Sequence, residues 1–224
     1  MPTSAMHALF TRIRACPLCY RITLVIRVML AAGFLPTGLI KLLGHRFTSL
    51  PADSGPIGAF FEAMYQTGTY WQFIGAVQVI GALLLLSPPA AHLGAAIVVS
   101  ILTNIVIITV SLGFTGTPFI SIAMLAAGLW LIAWDYHRFH PLLSATPWPS
   151  PAIPTPLDTV ERAALWIWAA SLSSFFCVAR GFGPGFVQLP LITIGVSAAA
   201  TAVARFLSRE WHLRRQQQSM APGV

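Results

Sequence analysis

The sequence predicts an all-α, polytopic membrane protein: a four-helix transmembrane unit followed by a two-helix C-terminal hairpin. Three observations predict this. Charged residues make up 8% of the chain and hydrophobic residues 56%, whereas a soluble domain carries about a quarter charged residues. The apolar residues collect in six runs, roughly 22–43, 68–87, 90–112, 117–135, 160–179 and 186–206, each about the 20 residues that cross a hydrocarbon core as helix. A spanning segment must satisfy its own backbone, so helix is the default. The alternating ten-residue segments of a barrel are not seen.

The elements follow in chain order. Residues 1–21 form a basic segment, expected to lie in the cytoplasm. The apolar run after it is too long for the core of a cleavable signal, so the first span is expected to be a permanent anchor. The loop over 44–67 carries Phe60, Phe61, Met64 and Tyr65 at helical spacing after Gly55-Pro56, which predicts a short amphipathic helix at the membrane surface or against the bundle. Ser87-Pro88-Pro89 predicts a tight turn between the second and third spans. Gly113 to Pro118 joins the third to the fourth, with Pro118 suited to a first helical turn. Such short connections imply antiparallel neighbours, so residues 22–140 are expected to form one four-helix bundle.

Residues 141–157 are rich in proline and read as a polyproline-type linker. Asp158-Thr-Val-Glu161 has the form of a capping box, opening the hairpin over 158–207. A basic tail over 208–224 closes the chain. In that tail region Arg209 is expected to need only solvent.

The net charge of +7 does not point to nucleic acid, because the basic residues flank the apolar runs. Ten of them (Arg12, Arg14, Arg21, Arg27, Arg138, Arg162, Arg205, Arg209, Arg214 and Arg215) fall on one side of the predicted spans. Lys41, Arg46 and Arg180 fall on the other. The positive-inside rule then places both termini in the cytoplasm of a cell whose plasma (inner) membrane holds the protein. Trp71, Trp130, Trp134 and Tyr136 lie near span ends, as an aromatic belt predicts.

Polar residues inside apolar runs are the strongest functional pointers, since each costs free energy there. Arg27 lies in the first span and either snorkels to the interface or faces the bundle interior. Lys41, fourteen residues on, shares nearly the same face. Gln78 lies mid-span between Gly75 and Ala82, and the third span carries Ser100, Thr103, Asn104 and Ser111 along one side. Asp135 closes the fourth span and calls for a cationic partner, Arg27 or Arg138. Arg27, Lys41, Gln78, Asn104 and Asp135 are therefore taken as a candidate ligand-binding polar interior, against the plainer alternative that such residues glue helices together.

Cys16-Pro-Leu-Cys19 is a candidate redox pair, but two thiols cannot close a structural zinc site. Three cysteines also exclude a disulfide framework. His137 and His140 stand at i, i+3, yet Pro141 is expected to disrupt their helix, so no metal is assigned. The chain has no nucleotide loop, nucleophile elbow or haem motif, which points away from an independent catalytic activity.

The run from Arg27 through Gly33-Phe34 and Thr37-Gly38 to Lys41-Leu42 resembles the opening of the DoxX-like membrane family. The sequel agrees: a Phe-rich loop, Gly68-Thr-Tyr-Trp71, Gly75-x-x-Gln78-x-x-Gly81, Pro88-Pro89 and Gly94-Ala95. The resemblance covers about residues 22–138. It implies a four-helix membrane bundle associated with quinone-linked sulfur oxidation or membrane redox complexes. Family members often carry Glu where this chain has Gln78, and Gln does not titrate. The first expectation is thus an accessory subunit of a quinone-linked redox system, with quinone as the implied cofactor and a membrane or soluble oxidoreductase, lipid, or a second copy of the chain as partners. A small-molecule transporter is the second expectation and a membrane chaperone the third.

Overall fold

The computed structural model describes residues 4–144, 157–179 and 185–220. Among these residues the chain is all-helical, with no strand. It divides into two compact units, residues 1–155 and 156–224.

In the first unit α1 (Ser4–Ala15) precedes α2 (Pro17–Leu42), then come α3 (Pro56–Gln66), α4 (Thr69–Leu86), α5 (Ala91–Ser111), α6 (Thr117–Trp134) and α7 (Tyr136–Leu143). Helix α2 starts five residues before the predicted span, because Pro17 occupies a first-turn position and Cys16 takes the extended cap conformation. The basic segment ahead of it is itself a helix. Pro141 lies inside α7 rather than ending it; in this short helix it falls in the last turn, where Ser144 still donates its backbone N–H to the His140 carbonyl.

Helix α2 packs on α4, α4 on α5, α5 on α6, and α6 returns to α2, closing a four-helix ring. Its core holds Leu30, Phe34, Ala82, Leu85, Val98, Leu102 and Leu131. Lipid is as apolar as leucine, so close backbone approach and interhelical hydrogen bonds must hold the ring. Glycines permit that approach. A Cβ on Gly75 would lie 2.3 Å from the Leu42 nitrogen, and one on Gly94 would lie 2.5 Å from the Leu85 nitrogen. Outside, Phe73, Ile80, Leu83, Ile107, Ile120 and Leu129 are exposed, an apolar surface suited to acyl chains.

The tryptophans depart from the belt expectation. Trp71 and Trp134 are buried. Trp71 donates to the His45 carbonyl at 2.9 Å and Trp130 to the Thr23 hydroxyl at 2.9 Å. Their indole N–H groups have internal acceptors, so the rings turn inward.

In the second unit α8 (Thr159–Ala179) pairs with α9 (Gln188–Met220), the latter entered through a single 3₁₀ turn, Gly185–Val187. The capping box forms: the Glu161 N–H donates to Asp158 Oδ1 at 2.7 Å and the Asp158 N–H to Glu161 Oε2 at 3.0 Å. Arg209 is not merely solvated, as the sequence suggested. It pairs with the buried Glu161 at 2.8 Å, and α9 continues as one helix into the predicted tail. Most of the proline linker, residues 145–156, and Arg180 lie outside the described residues.

Among the described residues five helices are long and apolar enough to cross a membrane: α2, α4, α5, α6 and the first 22 residues of α9. The chain is thus read as a multi-pass membrane protein. The sixth predicted run is a helix of 21 residues, α8, which carries Glu161 and Arg162 in its first turn and three serines further along.

Candidate functional site

Among the described residues of the four-helix unit, two buried centres are built around charged side chains, about 21 Å apart along α2 at 1.5 Å per residue. The first gathers where α1, α2, α6 and α7 meet. Asp135 sits at the break between α6 and α7, which keeps its carboxylate near the end of the bundle. Arg27 donates to Asp135 Oδ2 at 2.6 Å, with 11% and 7% of the two side chains exposed. Of the two cations that the sequence offered as partners, Arg27 takes the place, while Arg138 donates to the Pro89 carbonyl. Arg14, from α1, is the second cation. Its Nη1 donates to the Trp134 carbonyl at 2.8 Å and to His137 Nδ1 at 2.9 Å, and lies 3.8 Å from Asp135 Oδ1. Its guanidinium also stands 5.2 Å from the centroid of the Trp134 ring, a cation–π distance.

The contact with Arg14 assigns His137 Nδ1 as an acceptor, which requires the neutral imidazole. The electrostatics agree: burial, then the adjacent Arg14 charge, push the His137 imidazole below its ordinary value. Burial likewise lowers the Arg14 guanidinium, with Asp135 opposing, but an arginine stays charged regardless. Sequence reasoning assigned Arg14 to topology and missed its place here. The available signal was an amphipathic stretch ending just before Cys16-Pro17, where a chain break lets α1 fold back.

The second centre lies where α2 meets α4. Gly38 and Gly75 bring the two backbones together, and Lys41 and Gln78 each stand three residues beyond one of these glycines. Lys41 Nζ donates to Gln78 Oε1 at 3.0 Å and to the Thr37 carbonyl at 3.2 Å. Both side chains belong to buried residues. The ammonium lies 4.4 Å from the Phe47 ring centroid and 5.4 Å from that of Trp71. Phe47 in turn packs on Phe61 of α3 at 5.5 Å, so the amphipathic helix closes this end. Among the described residues no hydrogen bond engages Gln78 Nε2. The arrangement offers a cation, an amide donor and two aromatic faces within one buried corner.

The five candidate residues therefore do not share a single interior. Arg27 and Asp135 form one centre, Lys41 and Gln78 another, and Asn104 joins neither. Asn104 lies exposed on α5 and donates to the Ser100 carbonyl at 2.8 Å. The reason is helical phase: Val98, Leu102 and Thr109 point inward, and two residues past Leu102 is about 200° round the helix. Cys16 occupies the N-cap position of α2 and Cys19 lies in its first turn, both partly exposed and outside any disulfide. His140 stacks edge-on against Tyr136, and no cluster of three metal-ligating side chains occurs among the described residues.

No protein-family model matches this chain, and no curated protein or solved structure shows significant similarity to it.

Proposed function

We propose that the chain is a DoxX-like membrane protein that serves as a non-catalytic subunit of a quinone-linked redox system. In this reading residues 22–140 are the DoxX-like unit, the last two helices are an appended hairpin, and both termini lie in the cytoplasm. The ten-to-three distribution of basic residues supports that orientation.

One observation carries the functional reading: the Lys41–Gln78 pair, buried and flanked by Phe47 and Trp71. A planar ring bearing carbonyl oxygens fits that donor set, because Lys41 and the Gln78 amide supply N–H donors and the aromatic side chains supply flat apolar walls. A quinone, when bound, would supply two-electron chemistry; Lys41 and Gln78 would orient its carbonyl and keep water away. Neither residue is asked to take a proton in that step.

The test is purification of the full chain in mild detergent, followed by quinone and lipid mass spectrometry. Quinone should co-purify near one equivalent and fall at least about fivefold in both Lys41→Met and Gln78→Leu. Quinone at the level of an unrelated membrane protein would end the proposal. Substrate flux through the chain alone in liposomes would favour a transporter in its place.

A further inference from the structure

Helix α5 has a second face that the four-helix ring leaves uncovered. Leu93, Ser100, Asn104, Ile107 and Ser111 are all exposed. Their steps of seven, four, three and four residues follow the heptad spacing of a coiled-coil seam. The seam is distinct from the inward line of Gly94, Val98, Leu102 and Thr109. At its centre stands a carboxamide in a stretch that otherwise reads as lipid-facing. Asn104 is the fourteenth of the 21 residues of α5, so it sits within about 5 Å of the helix midpoint at 1.5 Å per residue.

The hydrogen bonding of the seam is partly closed on itself. Ser100 donates to the Ala96 carbonyl and Thr103 to that of Val99, both at 2.9 Å. Asn104 spends one N–H on the Ser100 carbonyl. Its Oδ1 and its second N–H have no partner among the described residues. Hydrocarbon offers none, and an unpaired amide there is costly.

We propose that this face of α5 is a homodimer interface within the membrane, closed by reciprocal hydrogen bonds between the Asn104 carboxamides of two copies. The choice of a second copy follows from orientation. Copies inserted the same way are related by a two-fold axis along the membrane normal, so their α5 helices meet in parallel. Each seam residue then faces its own counterpart at equal depth. Asn104 has one donor and one acceptor left, and its counterpart has the same; the pair satisfies both. From Leu93 to Ser111 the helix carries no charged residue, so parallel contact brings no like charges together. A single asparagine at such a seam position also sets the register of paired helices.

The proposal does not depend on quinone binding and is tested separately. Full-length chains labelled with donor and acceptor dyes are reconstituted into phosphatidylcholine liposomes over a range of protein-to-lipid ratios, and energy transfer reports association. The wild type should associate, and Asn104→Leu should move the midpoint about five- to thirtyfold toward higher density, the range expected for an interhelical hydrogen bond in a membrane. Asn104→Gln should recover most of the loss. Cross-linking guards against a folding artefact: in a chain with all three native cysteines changed to Ser, Ile107→Cys should oxidise to a symmetric dimer and Leu129→Cys, on the outer side of α6, should not. A monomeric wild type, unchanged association in Asn104→Leu, dimers through position 129 alone, or loss of a different co-purifying protein with self-association intact would each overturn it.

Discussion

Asp135 serves two guanidiniums, and its neighbour His137 turns that arrangement into a pH dependence. The groups facing the imidazole are Arg14, Asp135, Arg138 and His92. Three are basic, so the folded protein resists a further proton there. The sign follows directly. The unfolded chain protonates this histidine near pH 6.5, while the folded chain does so only at lower pH. Stability from this group is therefore complete above about pH 6.5 and is lost as the pH falls below it. Thermal unfolding in detergent at pH 7.5 and 5.5 should show a fall for the wild type and a smaller fall for His137→Gln, which keeps an acceptor for Arg14 but does not titrate. Equal falls would show that the imidazole is not the responsible group. At this scale the Arg27–Asp135 pair was legible in the sequence, because a carboxylate closing an apolar run needs a cation, and Arg27, about two turns in from the same end, has a side chain long enough to reach it; Arg138 was the alternative. The roles of Arg14 and His137 were not, because they depend on α1 folding back over the break at Cys16.

Between elements, the α2–α4 contact is the one on which a binding site depends. Gly38 and Gly75 remove the side chains that would hold the two helices apart, and Lys41 meets Gln78 as a result. A methyl group on Gly75 would strike the Leu42 backbone, which cannot rotate away, whereas one on Gly33 would find only Met124 Cε at 3.8 Å. Gly75→Ala should therefore cost about 1–3 kcal/mol, the usual range for overpacking, and Gly33→Ala little or nothing. Melting temperatures in one detergent decide the point; similar values for the two variants would show that the helices tolerate the wider separation. The spacing of these glycines from Lys41 and Gln78 was visible in the sequence, but that the two motifs face one another is a property of the packed pair. The reverse happened on α5. Its residues are apolar nearly all round, so periodicity did not reveal which polar residues turn inward, and Asn104 was assigned to the wrong side.

For the molecule as a whole, the number of crossings turns on α8. Among the described residues five helices meet the length and apolarity of a span, and α8 is the sixth predicted run. With all six crossing, reporters fused after Ser144 and after Val224 should both behave as cytoplasmic. Alkaline phosphatase activity at Val224 but not at Ser144 would mean that α8 stays on one side and that the chain crosses five times. The buried Glu161–Arg209 pair joins the first turn of α8 to the far end of the α9 span, so it persists where both helices cross and would have to break where α9 alone crosses, leaving a buried carboxylate without its cation.

By itself the sequence determined the solvent of this protein and therefore its secondary structure: runs of about twenty apolar residues in a bilayer have no lower-energy choice than helix. It also determined the turns, the capping box at Asp158–Glu161 and the amphipathic α3, because each depends on residues a few positions apart. Only the tertiary structure decided that the polar residues separate into two centres, that the indoles face inward, that Arg209 has a buried partner and that Asn104 looks outward. These follow from the rotation of each helix about its own axis. In lipid no difference in apolarity sets that rotation, so it is set by where glycines let backbones touch and by which hydrogen bonds close across the contact.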